Sequence, residues 1–317
     1  MAIKITNNFI VITSVILIIL VLLLLLKILN PVDKMDIWKR MKKHVILQKS
    51  HTDESYILPK IIWSFWHDEN PPQFVSQILN QRATILKGWK HVVINEKTLS
   101  IYISELPPNY NNLRQSHKAD LLRLALLEKY GGCWLDATVL VNSSTEFDNM
   151  YNESVSIKSD FTGFYTPMGL RNNDPTTFVE SWFIMAPQKS QIIRESYKEF
   201  TLACTMGFDK YRLRVEKEHK LDNIYKINNP TDVYLTVYAS IQIAIQKRLA
   251  RRVNMILYNS YHTMYKLHCD CWESKKDDYD SDCIVKKLQN EKIYVQNIPY
   301  LKFTRAQYSL IKDTSNV

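Results

Sequence analysis

The most apolar segment of the chain lies at its N-terminus. Residues 9–26 carry no charged side chain, and two further apolar residues follow Lys27. About 20 apolar residues suffice for a helix to cross the ~30 Å hydrocarbon core of a bilayer. A cleaved signal peptide has a shorter apolar run and a small-residue cleavage site, which is absent after this segment. The pattern predicts an uncleaved transmembrane helix over residues 9–29, after a short tail over residues 1–8.

A basic, partly amphipathic stretch over residues 30–55 follows. Residues 1–43 hold seven basic and two acidic side chains, a net +5 out of the formal +9, and only Lys4 precedes the apolar segment. Basic residues beside a membrane helix favour contact with anionic lipid headgroups, so we expect membrane lipids as partners and a stem at the interface. The apolar side of the stem is Ile37, Trp38, Met41, Val45 and Ile46.

The same charge asymmetry bears on topology. The positive-inside rule places the domain that follows the stem in the cytoplasm. Two glycosylation sequons, at Asn142 and Asn152, would suit a lumenal domain instead, although such matches often arise by chance. We expect a single-pass membrane protein with its large domain on the cytoplasmic side.

Strand and helix patterns alternate over residues 56–317, which predicts one α/β domain. The run at 133–141 is almost continuously apolar, as in a strand buried on both faces of a parallel sheet. The clear segments are a strand over 59–66, a helix over 71–86, a strand over 91–94, a helix over 113–130 with Ser116 as N-cap and Gly131-Gly132 as stop, and the strand over 133–141. Weaker patterns predict a strand over 177–186, helices over 188–205 and 232–251, and a strand within 292–304.

Composition excludes several function classes. There are only six glycines and no GxGxxG or GxxxxGK[ST] pattern, which argues against a dinucleotide-binding domain and a P-loop nucleotidase. The chain beyond residue 43 carries a net charge of only +4, so the basic footprint of a nucleic-acid binder is missing from the domain and we expect no nucleic-acid partner.

The five cysteines show no regular spacing. An odd count of this kind is not a disulfide framework, so ordinary reduced thiols are expected. A zinc site of His268 with Cys269, Cys271 and Cys283 is the alternative, but its Cys-x-Cys spacing is not that of the common zinc folds.

Two charged residues interrupt the apolar helix over 113–130. Asp120 and Arg123 are three positions apart and therefore share one helix face. A lone charge in such surroundings is costly to bury, so the two side chains should pair. The pair is either a structural tie between helix and sheet or part of a functional site, and this helix alone does not decide between them.

A third charged residue, Asp136, interrupts the apolar run over 133–141. In open α/β sheets ligands bind at the carboxyl ends of the strands. A carboxylate there can bind a divalent metal or a sugar hydroxyl, whereas the competing interpretation is a hydrogen-bonded core aspartate.

The block formed by Asp120-x-x-Arg123 and Gly131-Gly132-x-Trp134-Leu135-Asp136 resembles the signature of GT-A (Rossmann-like) glycosyltransferases with a DxD motif. It is most similar to the capsular polysaccharide synthesis glycosyltransferases, which are related to yeast-type initiating mannosyltransferases and large clostridial toxins. Residues 59–63 with Trp66, 180–184 and 299–304 add weaker likenesses, so the resemblance spans 56–305.

This resemblance implies transfer of a sugar from a nucleotide-sugar donor, with a UDP-sugar favoured, to a glycan or polysaccharide acceptor in surface-glycan synthesis, with retention of configuration. It implies these roles: Asp136, Asp120 and Arg123 in catalysis; Trp63 beside the nucleotide base; Asp120, Arg123, Asp136, Thr138 and Lys302 around the donor; Ser181 and Trp182 on the acceptor side; and Asp136, Thr138 and His262 around Mn²⁺ or Mg²⁺.

One residue departs from the DxD pattern. Thr138 stands where the second carboxylate belongs, and a hydroxyl is a much weaker ligand for these metals. The departure makes strict metal dependence doubtful and supports an alternative, a catalytically inactive relative that binds glycans or scaffolds an assembly. A phosphotransferase or nuclease would need clustered carboxylates for two metals, which the sequence does not show.

Overall fold

The computed structural model describes residues 43–47, 55–219, 221, 224, 233–249, 253–273, 276 and 278–311. Its strands are β1 (Lys43–Leu47), β2 (Ile61–Phe65), β3 (Lys90–Ile94), β4 (Gly132–Leu135), β5 (Val139–Val141), β6 (Phe161–Tyr165), β7 (Val179–Ala186), β8 (Asn254–Asn259), β9 (Trp272–Glu273), β10 (Asp278–Tyr279) and β11 (Tyr300–Lys302). Its α-helices are α1 (Gln73–Ile85), α2 (Leu99–Tyr102), α3 (Gln115–Tyr130), α4 (Ser144–Ser156), α5 (Gln191–Met206), α6 (Phe208–His219), α7 (Thr236–Leu249), α8 (Lys266–Asp270), α9 (Ser281–Asn290), α10 (Lys292–Gln296) and α11 (Arg305–Leu310).

A seven-stranded sheet in the order β1-β8-β6-β7-β4-β2-β3 organises the described residues. The strands β3, β2, β4, β6 and β8 point the same way, and β7 and β1 run against them. One face packs against α3, α5 and α7, and the other against α4 and the separate β5–β11 pair. Because both faces are covered, all eight residues of β7 are buried. The predicted α/β class is confirmed.

The helix α3 ends where the glycine pair predicts. Gly131 and Gly132 have φ angles of 66° and 101°, in the region that favours glycine. A Cβ on Gly132 would lie 2.6 Å from the carbonyl oxygen of Ile61, so a side chain cannot fit against β2. The N-cap prediction was wrong: the helix begins at Gln115, and Ser116 lies inside its first turn.

The predicted strand over 133–141 is two strands in two sheets. β4 ends at Leu135, and the amide of Asp136 still donates to the carbonyl of Trp182 at 2.9 Å. The chain then changes direction in a turn, in which the amide of Val139 donates a hydrogen bond to the carbonyl oxygen of Asp136 at 3.0 Å. β5 leaves the main sheet and pairs antiparallel with β11. The turn, rather than the middle of a continuous strand, therefore carries Asp136.

Part of the predicted stem belongs to the sheet. Residues 43–47 form β1, which pairs antiparallel with β8, so the sheet starts before residue 56. The predicted tail over 1–8 and transmembrane helix over 9–29 lie outside the described residues. Within the residues that the structure describes, no helix has the length and apolar character needed to cross a membrane.

The expectation of reduced thiols was wrong for one pair. Cys271 and Cys283 form a disulfide with a Cα–Cα distance of 5.7 Å, which also removes both from the alternative zinc site. Cys133, Cys204 and Cys269 are buried and form no disulfide. The bond ties the β9–β10 hairpin to the start of α9.

Candidate functional site

Three segments meet at the carboxyl end of β4. The helix α3 contributes Asp120 and Arg123, the turn after β4 contributes Asp136 and Thr138, and β11 contributes Lys302. Pairing of β11 with β5 sets Lys302 opposite Val139 and so brings it beside the turn, although 164 residues separate it from Thr138. The structure thus assembles five of the predicted site residues from distant parts of the chain.

Arg123 joins the two aspartates. Its Nη1 lies 3.1 Å from Asp120 Oδ1 and its Nη2 lies 3.2 Å from Asp136 Oδ1. The guanidinium also lies over the ring of Trp134, 5.2 Å from the centroid, and the side chain is only 5% exposed. A buried planar fork of this kind fixes the relative positions of both carboxylates.

Asp136 is the central anion of the cluster. The indole of Trp134 donates to its Oδ1 at 2.9 Å, and Lys302 Nζ lies 3.1 Å from its Oδ2. Burial alone would raise the pKa of Asp136, but the charges of Lys302 and Arg123 and the hydrogen bonds outweigh it and lower the pKa below its usual value. Asp136 is therefore ionised throughout the neutral pH range.

Asp120 has the opposite tendency. Burial raises its pKa to about 7, opposed by the charge of Arg123 and reinforced by that of Asp136. Two carboxylates on one guanidinium thus titrate in different ranges, an arrangement found where one group exchanges a proton and the other stays charged.

A buried arginine that the sequence analysis did not single out supports the turn. Arg82 is 1% exposed; its Nη2 donates to Ser64 Oγ at 2.6 Å and its Nη1 to the carbonyl of Asp136 at 3.3 Å. Ser64 in turn donates to the carbonyl of Leu135 at 2.6 Å. Arg82 lies in a helix of mixed composition, where no local pattern distinguishes it from a surface arginine.

A buried glutamate on β7 was also missed. Glu180 is 3% exposed and accepts hydrogen bonds from Thr166 Oγ1 and Tyr238 Oη. Burial raises its pKa above the usual value, against the effect of these two donors. A charged residue inside an apolar strand is the same signal that pointed to Asp136, so the sequence did contain a cue for it.

Trp63, which the sequence analysis places beside the nucleotide base, packs in the core of the domain. Its side chain is 2% exposed, and its indole donates to the carbonyl of Gly131 at 2.9 Å. Gly131 lies at the amino end of β4, opposite the edge that carries Asp136. The contact of Trp63 with the nucleotide base stays a prediction.

The predicted acceptor residues are buried as well. Ser181 and Trp182 are 4% and 3% exposed, and the Trp182 ring packs 5.1 Å from Phe164 and 5.6 Å from Tyr265. The backbone carbonyl of Trp182 accepts a hydrogen bond from the amide of Asp136 and so connects β7 to the turn that carries Asp136.

The predicted metal ligand His262 ends a short turn directly after β8, at the same edge of the sheet. Within the described ranges, no three or more His, Cys, Asp and Glu side chains are grouped so that they could hold a metal ion.

A cleft of about 510 Å³ opens beyond the carboxyl ends of β2 and β3. Within it, Lys118 Nζ lies 3.0 Å from Glu96 Oε1, and Tyr110 donates to the same carboxylate at 3.3 Å. Lys118 belongs to the first turns of α3, shortly before Asp120. The cleft is lined by His67, Asp68, Glu69, Asn70, Glu96, Lys97, Gln115 and Lys118.

The chain is distantly similar to 28 chains of solved structures. The PaToxG glycosyltransferase is 12% identical with a TM-score of 0.37, over 61% of this chain and 78% of that one. A glycosyltransferase involved in glycosylation of the major capsid of PBCV-1 is 11% identical with a TM-score of 0.37, over 78% and 97%. The UDP-bound glycosyltransferase domain of the YGT toxin is 10% identical with a TM-score of 0.39, over 81% and 89%.

A protein-family model matches most of the chain. No curated protein matches the chain. The sequence model of the family described as capsular polysaccharide synthesis protein matches residues 30–300. The match covers well over half of the 317 residues. The chain therefore belongs to the capsular polysaccharide synthesis protein family, as its Asp-x-x-Arg and Gly-Gly-x-Trp-Leu-Asp motifs predict.

Proposed function

We propose that the protein is a GT-A-type glycosyltransferase that moves a sugar from a nucleotide-sugar donor, with a UDP-sugar favoured, to a glycan or polysaccharide acceptor of capsule-type biosynthesis, with retention of configuration. The observation that carries the proposal is the position of two cations, Arg123 and Lys302, on either side of Asp136 at the carboxyl end of β4. Departure of a nucleoside diphosphate develops negative charge, and fixed cations in a partly buried site stabilise it.

The remaining groups have matching roles in this proposal. Asp120 and Arg123 hold the donor sugar and its phosphate, and Asp136 receives hydroxyl groups of the donor. The nucleoside enters the cleft beyond β2 and β3, where Lys118 and Glu96 offer a donor and acceptors. Family membership supports the acceptor class.

The test is a donor screen with the full-length chain in detergent. A fragment that starts at residue 56 would lack β1 and expose the edge of β8, so the full chain is preferable. Turnover of one nucleotide sugar would support the proposal if Asp136→Ala abolishes it. The control variant Asp209→Ala, at an exposed helix position, should preserve this turnover. A folded protein that neither turns over nor binds any nucleotide sugar would favour the alternative of an inactive glycan-binding or scaffold protein.

We also propose that residues 9–29 anchor the protein and that its domain faces the cytoplasm, on the strength of the basic residues that follow the apolar segment. The Cys271–Cys283 disulfide argues the other way, because such bonds are rare in reducing compartments. Protease treatment of sealed vesicles of known orientation decides: a domain that is protected in cytoplasmic-side-out vesicles would overturn the cytoplasmic assignment.

A further inference from the structure

Lys302 occupies the space between the first and third residues of the Asp136-Ala137-Thr138 motif. Its Nζ lies 3.1 Å from Asp136 Oδ2, 2.7 Å from Thr138 Oγ1 and 3.3 Å from the carbonyl oxygen of Phe303. An ammonium has three N–H donors and no acceptor, so these three oxygens satisfy it completely. The side chain is 13% exposed, which leaves it partly open to a ligand.

The backbone holds this lysine in place. The amide of Lys302 donates to the carbonyl of Met264 at 2.9 Å, and the amide of Phe303 donates to the carbonyl of Thr138 at 3.1 Å. The cation is thus built into the β5–β11 pair, and little ordering is needed when a substrate arrives.

A divalent metal does not fit these residues. Mg²⁺ and Mn²⁺ prefer carboxylate oxygens in close, near-octahedral geometry. The motif offers one carboxylate, and three of its roughly four acceptor sites are occupied, by Arg123 and Trp134 at Oδ1 and by Lys302 at Oδ2. A dication between Asp136 and Thr138 would lie against an ammonium that already contacts both.

The charge balance supports the same conclusion. In a DxD motif, the charges of two aspartates and one dication sum to zero. In this chain, the charges of Asp136 and Lys302 also sum to zero. Thr138 in place of the second carboxylate removes one negative charge from the motif. The single positive charge of Lys302 then neutralises the remaining aspartate, Asp136.

We infer that the transferase works without a divalent metal, and that Lys302 is the resident cation that Asp136 and Thr138 hold against the diphosphate. The inference rests on the proposed function. In the transfer, the bond between the anomeric carbon and the diphosphate oxygen breaks with its electron pair going to that oxygen. The acceptor hydroxyl oxygen bonds to the anomeric carbon and releases its proton to solvent. The ammonium charge of Lys302 stabilises the negative charge that develops on the departing diphosphate.

The first test measures binding of UDP to the full-length protein by calorimetry, in EDTA and then with Mn²⁺. We expect the two Kd values to agree within about twofold, a difference well under 1 kcal/mol. Turnover of a donor should likewise persist in EDTA. A requirement for Mn²⁺ in either measurement would overturn the inference while leaving the glycosyltransferase proposal intact. Absence of both binding and turnover in every condition would overturn the proposed function and this inference with it.

Variants test the role of the lysine itself. Lys302→Ala should lower turnover by about 10²-fold or more, whereas Lys286→Ala, at an exposed position of α9, should not. The double variant Thr138→Asp/Lys302→Ala restores two carboxylates without the lysine and should gain turnover only when Mn²⁺ is added. Full turnover of a folded Lys302→Ala protein in EDTA would contradict the inference. If that variant does not fold, the comparison of EDTA with Mn²⁺ on the wild-type protein decides alone.

Discussion

Arg123 forms its second ion pair with Asp136, 13 residues further along the chain, at a distance of 3.2 Å. The Asp-x-x-Arg motif of the helix and the aspartate after β4 are therefore one electrostatic unit. The two ion pairs confirm the structural tie that the sequence analysis left as one of two interpretations, and the functional interpretation stays a prediction.

Removal of Arg123 should destabilise the fold as well as the site. Arg123→Ala leaves the buried carboxylate of Asp120 without its partner, and loss of one member of a buried pair costs about 3–5 kcal/mol. Urea unfolding measures this free energy. Arg194→Ala is the matched control, because its pair with Glu128 is partly exposed to solvent and should contribute less than about 1 kcal/mol. Equal losses in the two variants would refute the assignment of a buried pair.

The titration of Asp120 should appear in the pH dependence of stability. Burial raises its pKa to about 7 in the folded protein, above the ordinary value of ~4 in the unfolded chain. The folded state therefore binds more protons between these values, and the contribution of Asp120 to stability falls as the pH rises from about 4 to about 7.

Asp120→Asn removes this titration. The free energy of unfolding of the variant, relative to wild type, should improve between pH 5 and pH 7 by up to ~1.4 kcal/mol per pH unit. Unfolding in urea at several pH values measures it, with the exposed Asp209→Asn as the control. Parallel curves for Asp120→Asn and wild type would show that Asp120 does not titrate in this range.

The features that could be predicted from the sequence are local ones. Asp120, Arg123 and Asp136 are charges inside apolar runs, and Gly131 and Gly132 follow a helical pattern directly, so each is visible within a few residues. These signals were enough to predict the α/β class, the end of α3 and the three charged residues that the structure brings together after β4.

The features that were missed depend on pairing over long distances. The pairing of β1 with β8 joins a basic stretch to a strand far along the chain, and the contact of Arg82 with the Asp136 turn exists only after folding. The turn that splits 133–141 was missed because β4 and β5 are both buried, so the apolar pattern does not change where the chain leaves one sheet for another.

The disulfide is testable by thiol counting. Under denaturing, non-reducing conditions the protein should show three free thiols out of its five cysteines. Reduction should cost about 3 kcal/mol of stability, because the bond closes a short loop in the unfolded chain. The double variant Cys271→Ser/Cys283→Ser should be insensitive to reductant. Five reactive thiols in protein isolated without reductant would contradict the disulfide.

Arg82 should act as a positioning residue for the Asp136 turn. Arg82→Met removes the donors to Ser64 Oγ and to the Asp136 carbonyl. A shift of about 1 Å in a catalytic group can cost ~10²-fold in rate, so kcat should fall by roughly that factor while KM for the donor changes little. Arg82→Lys keeps a buried cation but lacks the planar fork, and should restore part of the rate.

A second measurement separates positioning from general destabilisation. Hydrogen exchange of the Asp136 and Val139 amides, which donate to Trp182 and Asp136 respectively, should accelerate in Arg82→Met more than exchange in the core of β7. Lys87→Met, at an exposed position just after α1, is the control and should leave both rates unchanged. If exchange in the turn and in β7 rises equally, Arg82 stabilises the fold as a whole and has no special relation to the turn.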